Sequence, residues 1–373
     1  VKDIILKGND VDLYELPIMQ WHPHDGGPYI TWPIEVTDMD RYGTNLGTYR
    51  MMLHNKNSTG LMCSVFQDIG AHLKRAKKLG LPALPCSVII GADPALYLAS
   101  VTKMPLTDSE YEFAGALRGE PVELVKCETN ELLVPADAEI VLEGEISATE
   151  VKEEGPFGEF MGFREEAMLL NVFKVNCITR RRNPYYMMTI EGPELGDAEN
   201  VTSTSHNANF AIAAREKIIG YVDSWLPGAG RAHMAVVSIR KSLPGWGKMA
   251  IYQSFSVPYV ATMVNVVIIV DEDIDPSDND QVLWAVSTRV DPAKDIIITP
   301  YIGAYALNPA AGKRDLKYSR TGVTDVSMVS KLGIDATLKS PEEGRKRPAP
   351  EVVRPKQEMY DKVLKKWKQY GFK

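Results

Sequence analysis

Apolar and polar positions alternate with a period of two through Glu139–Ile146, which predicts a strand with one buried face. Shorter stretches at Tyr29–Val36, Cys86–Gly91, Val122–Cys127 and Leu132–Val134 predict further strands. Asn45–Met52 also has strand spacing and carries Arg50 near its end. Gln67–Gly80 reads as a helix instead. Gly80 supplies its stop, and Lys74, Arg75, Lys77 and Lys78 suit the negative end of the helix dipole. Pro94–Ser100 begins a short helix, and Ser109–Gly119 has a Ser start, an acidic first turn and a Gly stop. This first half is strands with short helices inserted, closer to a barrel than to regular βαβ repetition.

The second half changes character. His206–Gly220 and Asn279–Val290 predict helices, and Val236–Ser242, Val264–Val270 and Asp295–Ile298 predict strands, as in an α/β module. Gly228-Ala229-Gly230-Arg231 is too short for a nucleotide fingerprint and reads as a loop. His206 and His233 read as ordinary packed or surface histidines. Residues 339–355, rich in Lys, Arg, Pro and Glu, look like an exposed linker. Gln357–Tyr370 then forms a basic amphipathic helix, whose Met359, Val363 and Trp367 face predicts packing on a partner subunit rather than a membrane.

The chain has 373 residues, long enough for two or three domains. Its net charge of -7 argues against nucleic acid as the main partner, since phosphate binding needs a cationic surface. Cys63, Cys86, Cys127 and Cys177 are widely spaced, without a CxxC pair, and read as reduced, packed thiols of a cytoplasmic protein. No apolar run reaches membrane-spanning length. The chain opens on Val1 rather than Met, which raises the prospect of a missing N-terminal segment.

The chemistry concentrates in Glu154-Gly-Pro-Phe-Gly-Glu159. Gly155, Pro156 and Gly158 make a rigid turn that sets two carboxylates at fixed positions. Such a pair can divide the roles of proton donor and orienting base, because burial and neighbours push pKa values apart. The competing reading is a surface turn flanked by solvated glutamates. Arg50 inside an apolar strand needs acidic partners if it is buried, or else points to solvent. His22 and His24 could bind a metal on a strand, but Pro23 and the following Gly26-Gly27 pair favour a loop.

Asn45–Arg50, Gly91-Ala-Asp-Pro94, Glu112–Gly119, Val134-Pro-Ala136, Glu139–Gly144, Glu154–Glu159, Val270–Asp275 and Ser330–Thr337 together resemble the UbiD family of (de)carboxylases, which use prenylated FMN. The resemblance covers nearly the whole chain in the family's order. It implies an α+β fold: a split β-barrel flavin-binding domain with its opening segment (1–195), an α/β oligomerisation domain (196–338), and a linker with a C-terminal helix (339–373). It implies a catalytic network of Arg50, Glu154 and Glu159. In it Glu159 transfers the proton, Arg50 orients Glu159 and attracts the substrate carboxylate, and Glu154 completes the charges. Cofactor contacts are implied for Asn45, Gly47, Thr48, Tyr49 and Gln67.

The resemblance further implies a manganese or magnesium ion, with potassium, held by Asn45, Asp68 and Glu110, with Glu112 as the neighbouring alternative to Glu110. Asp68 departs from the family's common His, and plain helix capping competes for both acids. Asn265 stands where many members have a phosphate-binding Lys, a contact that Lys313 or Arg314 could replace. The domain that precedes the barrel in typical members is almost absent, as expected of a trimmed chain or of a short member within a larger assembly.

The expected function is decarboxylation, or reversible carboxylation, of an aromatic or α,β-unsaturated acid. Its implied partners are that acid, carbon dioxide, further copies of the chain or other carboxylase subunits, and a prenyl-FMN synthase for cofactor supply. The alternatives are a non-catalytic or cofactor-poor subunit of a multi-subunit aromatic carboxylase, and an ordinary flavin oxidoreductase with a similar barrel.

Overall fold

The computed structural model describes residues 1–63, 67–257, 263–304, 307–311, 327–345 and 351–372. Lys313 and Arg314 lie outside the described residues.

The first half contributes β1 (Ile4–Lys7), β2 (Tyr29–Ile30), β3 (Ile34–Met39), β4 (Gly43–Gly47), β5 (Met51–Asn55), β6 (Ser58–Leu61) and β7 (Ala83–Ile90). After these come β8 (Leu124–Lys126), β9 (Leu133–Pro135), β10 (Ile140–Glu154), β11 (Phe157–Gly158), β12 (Arg164–Glu165) and β13 (Met168–Arg180). Nine of them form one sheet in the order β2-β5-β6-β13-β10-β7-β3-β4, with β1 also on β13. Its ladders are antiparallel, and among the described residues the sheet does not close.

Period-two alternation sends neighbouring side chains to opposite faces. Val88 and Ile90 join one core with Ile140, Leu142 and Phe173, while Ile89 and Val141 join another with Ile34, Val36 and Tyr97. Helix α1 (Asp68–Lys78) buries Ile69, Leu73 and Ala76 in the first core. Helices α2 (Pro94–Val101) and α3 (Glu110–Arg118) cover the second. In α3 the Ser109 side chain accepts from Glu112 N, and Gly119 closes the helix in the left-handed region, as its end signals predict.

The second half is an α/β layer. Its sheet runs β14 (Tyr221–Trp225), β15 (Met234–Ile239), β16 (Val266–Asp271), β18 (Ser327–Asp335), β17 (Ile296–Ala304). The central three strands are parallel and the two edges antiparallel. Helices α4 (Asp197–Lys217) and α5 (Trp246–Phe255) build one core against it. Helix α6 (Asn279–Arg289) builds another, and the single turn α7 (Pro292–Asp295) leads into β17. Helix α8 (Gln357–Lys365) passes into a 3-10 turn over Trp367–Tyr370 rather than running to residue 370, and the expected face of Met359, Val363 and Trp367 is exposed.

Three further expected elements are corrected. Asn45–Met52 is not one strand: β4 ends at Gly47, and β5 begins at Met51. The break arises because Tyr49 N–H donates to the buried Glu35 carboxyl, at 3.0 Å, instead of to a strand neighbour. Tyr29–Val36 is likewise two strands, split around Trp32-Pro33. Helix α4 starts nine residues before His206, where the Glu199 side chain turns back to accept from Gly196 N–H at 2.8 Å. All four cysteines are free and buried. Among the described residues no helix is long and apolar enough to cross a membrane.

Candidate active site

The break between β4 and β5 places Arg50 at the end of a turn rather than in a ladder, so its side chain can reach across the sheet. Strand β10 ends at Glu154 and delivers that carboxylate to the same place. Arg50 Nε donates to Glu154 Oε1 at 3.1 Å and Nη2 to Oε2 at 3.1 Å, a two-pronged fork. Its remaining nitrogen, Nη1, meets Glu159 Oε1. One guanidinium thus holds both acids of the turn. Burial alone would lower the basicity of Arg50, but the Glu154 charge and hydrogen bonds outweigh it and raise its pKa.

The two acids differ in access. Glu154 is fully buried, whereas Glu159 is 8% exposed. Between them Gly155 sits at φ +100°, and a Cβ there would fall 3.0 Å from Ala167 Cα, so only glycine fits the turn. Phe157 is buried under the site, with its ring 4.2 Å from that of Tyr29 and 5.1 Å from the Arg50 guanidinium carbon. Burial, then the charge of Glu154, pushes the Tyr29 phenol up, so it stays neutral.

The expected cofactor residues 45–49 follow β4 into the turn. Tyr49 folds back over Gly47, where a Cβ would lie 2.2 Å from its hydroxyl. Thr48 Oγ1 pairs with Ser100 Oγ at 2.8 Å. Gln67 caps the start of α1 and accepts from Ala71 N through its backbone oxygen.

Of the expected metal set, Asn45 and Glu110 are buried on neighbouring elements, and Glu110 Oε2 accepts from Leu46 N at 3.2 Å. Burial raises the Glu110 carboxyl to about 7, and Asp68 adds to the rise. Asp68 itself holds Lys103 Nζ through Oδ1. Among the described residues no three His, Cys, Asp or Glu side chains cluster as metal ligands, so a set here needs the Asn45 amide. The alternative Glu112 instead donates its N–H to the Ser109 cap, and its side chain is exposed.

Residues 1–194 match the family described as the 3-octaprenyl-4-hydroxybenzoate carboxy-lyase Rift-related domain, and residues 200–336 match its C-terminal domain. The chain belongs to the UbiD family of carboxy-lyases. An uncharacterized protein of Archaeoglobus fulgidus is 34% identical over 369 residues, covering 98% of this chain and 73% of the relative. The UbiD-class enzyme HmfF from Pelotomaculum thermopropionicum, solved with FMN, is 30% identical at a TM-score of 0.84, over 97% of this chain and 76% of that one. Vanillic acid decarboxylase of Sedimentibacter hydroxybenzoicus, in a closed form, is 29% identical at a TM-score of 0.83, over 99% and 76%.

The UbiD-family chain also carries residues near the site that sequence reasoning passed over. Glu191 lies in the segment joining the two halves, where burial, with Glu199 beside it, pushes its carboxyl up. Arg231 Nη1 lies 3.2 Å from Glu199 Oε1, and its Nη2 donates to the carbonyls of Gly192 and Pro193. No spacing rule singles these out, since they meet only through the fold. The position of the expected phosphate-binding lysine, Asn265, is tied down through its backbone to His233 O and Leu332 N. A fully buried lysine does stand close by: Lys331 Nζ donates to Val264 O at 2.8 Å.

Proposed function

We propose that this chain is a prenylated-FMN-dependent decarboxylase, or reversible carboxylase, of an aromatic or α,β-unsaturated acid, with Glu159 as the proton donor and acceptor. One observation carries the reading. A single buried guanidinium is forked onto the fully buried Glu154 and also touches Glu159, the acid that keeps some access. A surface turn with solvated glutamates would not bury its charges in this way.

The residues fit the cofactor and its ion. Asn45 Nδ2 is buried without a protein acceptor, as a donor kept for a phosphate oxygen would be. The oxygen-rich set of Asn45, Asp68 and Glu110 suits manganese or magnesium, and the pressure on Glu110 to stay protonated would be relieved by a cation. Gly47, Thr48, Tyr49 and Gln67 would line the flavin, and potassium would share the phosphate. The FMN bound by HmfF supports this assignment.

Prenylated FMN, when bound, supplies the electron sink that lets carbon dioxide leave. The chain's own residues do the rest. Glu154 fixes the plane of the guanidinium. Arg50 attracts the substrate carboxylate and holds the Glu159 carboxyl toward the reacting carbon. A Glu159 carboxyl oxygen gives its proton to that carbon, or removes it in carboxylation. The α8 face would pack on a second copy, and a prenyl-FMN synthase would supply the cofactor. The scaffold alternative is not favoured, because a non-catalytic subunit has no need of two acids on one buried cation.

The test begins with mass spectrometry of small molecules released from protein co-expressed with a prenyl-FMN synthase. Prenylated FMN is expected, and a folded, manganese-supplied protein carrying no flavin would overturn the reading. Glu159→Gln should then keep the cofactor while cutting kcat by about 10²–10⁴-fold, the usual worth of a general acid. Normal turnover by that variant would remove Glu159 from proton transfer.

A further inference from the structure

The turn that carries Glu159 does not stand alone. It is interlocked with the loop before β2, from Gln20 to Pro28. Gly26 N–H donates to Pro156 O at 2.7 Å, and Gly158 N–H donates to Asp25 Oδ1 at 3.1 Å. The loops meet at two glycines: a Cβ on Gly26 would lie 2.1 Å from Gly155 O, and one on Gly158 would lie 2.7 Å from His22 Nδ1. The Asp25 side chain is fully buried, which is costly for a carboxylate unless donors surround it. Its Oδ2 accepts from His22 N at 2.9 Å and lies 3.4 Å from His22 Nδ1. Its backbone oxygen accepts from Gln20 Nε2 at 2.9 Å. On the far side, Glu159 N–H donates to Phe163 O at 2.9 Å, and Gly162 N–H returns to Glu159 O at 2.8 Å.

We propose that Asp25, backed by the His22 backbone N–H, is a positioning residue: by holding Gly158 N–H it sets the backbone from which Glu159 reaches Arg50. Gly158 is the residue immediately before Glu159, so a freed amide there lets the Glu159 Cα shift directly. A shift of about 1 Å at a reacting group costs roughly 10²-fold in rate. The effect should fall on kcat, because Arg50 and Glu154, which meet the substrate carboxylate and fix the cation, are held by other elements. The inference rests on the role proposed above for Glu159.

The experiment compares Asp25→Ala and Asp25→Asn with wild type. Hydrogen exchange over residues 155–160 is followed in the cofactor-free protein, and kcat and KM are measured in the prenylated-FMN-loaded protein. Asp25→Ala should speed exchange there and lower kcat about 10–100-fold, with KM and cofactor content within about twofold. Asp25→Asn keeps one oxygen, which can serve Gly158 N–H only by turning its NH2 toward the His22 N–H, so it should recover part of both. Unchanged exchange in Asp25→Ala, or faster exchange with wild-type kcat, overturns the proposal.

Should Asp25→Ala not fold, Gly158→Ala and its pairing with His22→Ala replace it. The single change should lose kcat by driving a Cβ into the imidazole, and the pair should regain it. Equal loss in both overturns the proposal. A wild-type protein inactive on every acid tried would overturn the proposed function instead, and the exchange measurements would still decide whether Asp25 holds the turn.

Discussion

The charge cluster makes a prediction about stability that needs neither cofactor nor substrate. Arg50 has two carboxylates, so removing either one leaves the other to balance it. Glu154→Gln keeps one oxygen for the fork and should cost about 1–2 kcal/mol, the difference between charge-assisted and neutral hydrogen bonds. Glu159→Gln should cost about 1 kcal/mol, since that acid keeps some access to water. The double variant is another matter. Its guanidinium, with a side chain 8% exposed, loses both contacting anions. A buried charge stripped of its partner costs roughly 3–5 kcal/mol. Glu165 is close enough to stabilise the charged form of Arg50, which argues for the middle of that range, about 4 kcal/mol, rather than its top. The double variant should therefore lose about 1–2 kcal/mol more than the sum of the singles. Urea unfolding of the four proteins, free of metal and flavin and read at the first transition, completes the cycle. Additivity within about 0.5 kcal/mol would refute the reasoning, because it would mean that Arg50 depends on neither acid once the other is gone.

Three further outcomes are expected. Asp68→Ala should weaken manganese and cofactor retention while leaving the far-UV spectrum unchanged, checked by metal analysis and flavin absorbance after gel filtration. Lys103→Met should raise manganese affinity severalfold in a titration, because it takes a competing cation off Asp68. His206 is buried, and burial pulls its pKa from the usual 6.5 to about 4. The unfolded chain therefore takes up this proton first as the pH falls, so the stability is fully present above about pH 6.5 and is lost progressively toward pH 4. The loss should be about 3 kcal/mol, and His206→Gln should flatten the slope in that window if its amide is accommodated.

The parts of the fold legible in the sequence are those written in short-range chemistry. The Ser109 cap and the Gly119 stop of α3 are each settled within a few residues, and so is the basic end of α1. The start of α4 was not legible, because Asp197–Ser205 contains Thr and Ser, which favour caps and turns, and because its cap residue is a glycine. Strand β13 gave no clean alternation either. It lies in the middle of the sheet, and Leu170, Val172, Phe173 and Val175 are buried on both of its faces while Asn171, Lys174 and Asn176 interrupt them, so neither a period of two nor an unbroken apolar run emerges.

The site divides along the same line. From the residues alone, Arg50 required an anion if buried, and Glu154–Glu159 formed a rigid turn with two anions to offer. Both inferences rest on local chemistry. That the two meet depends on contacts made across 104 residues of chain, and only the resemblance to the UbiD family joined them beforehand. Asp25 was beyond reach for the same reason. Nothing in Asp-Gly-Gly-Pro says that its carboxylate will hold an amide 133 residues away. Lys103 is the more instructive case. The acids expected to hold a metal ion were named from the family resemblance, yet a cation of this chain already sits on one of them. A carboxylate pair in a sequence predicts that positive charge will be drawn to it. Whether that charge is a metal or an ammonium group is decided by whichever group the fold brings within reach, and at Asp68 the fold brings the Lys103 ammonium.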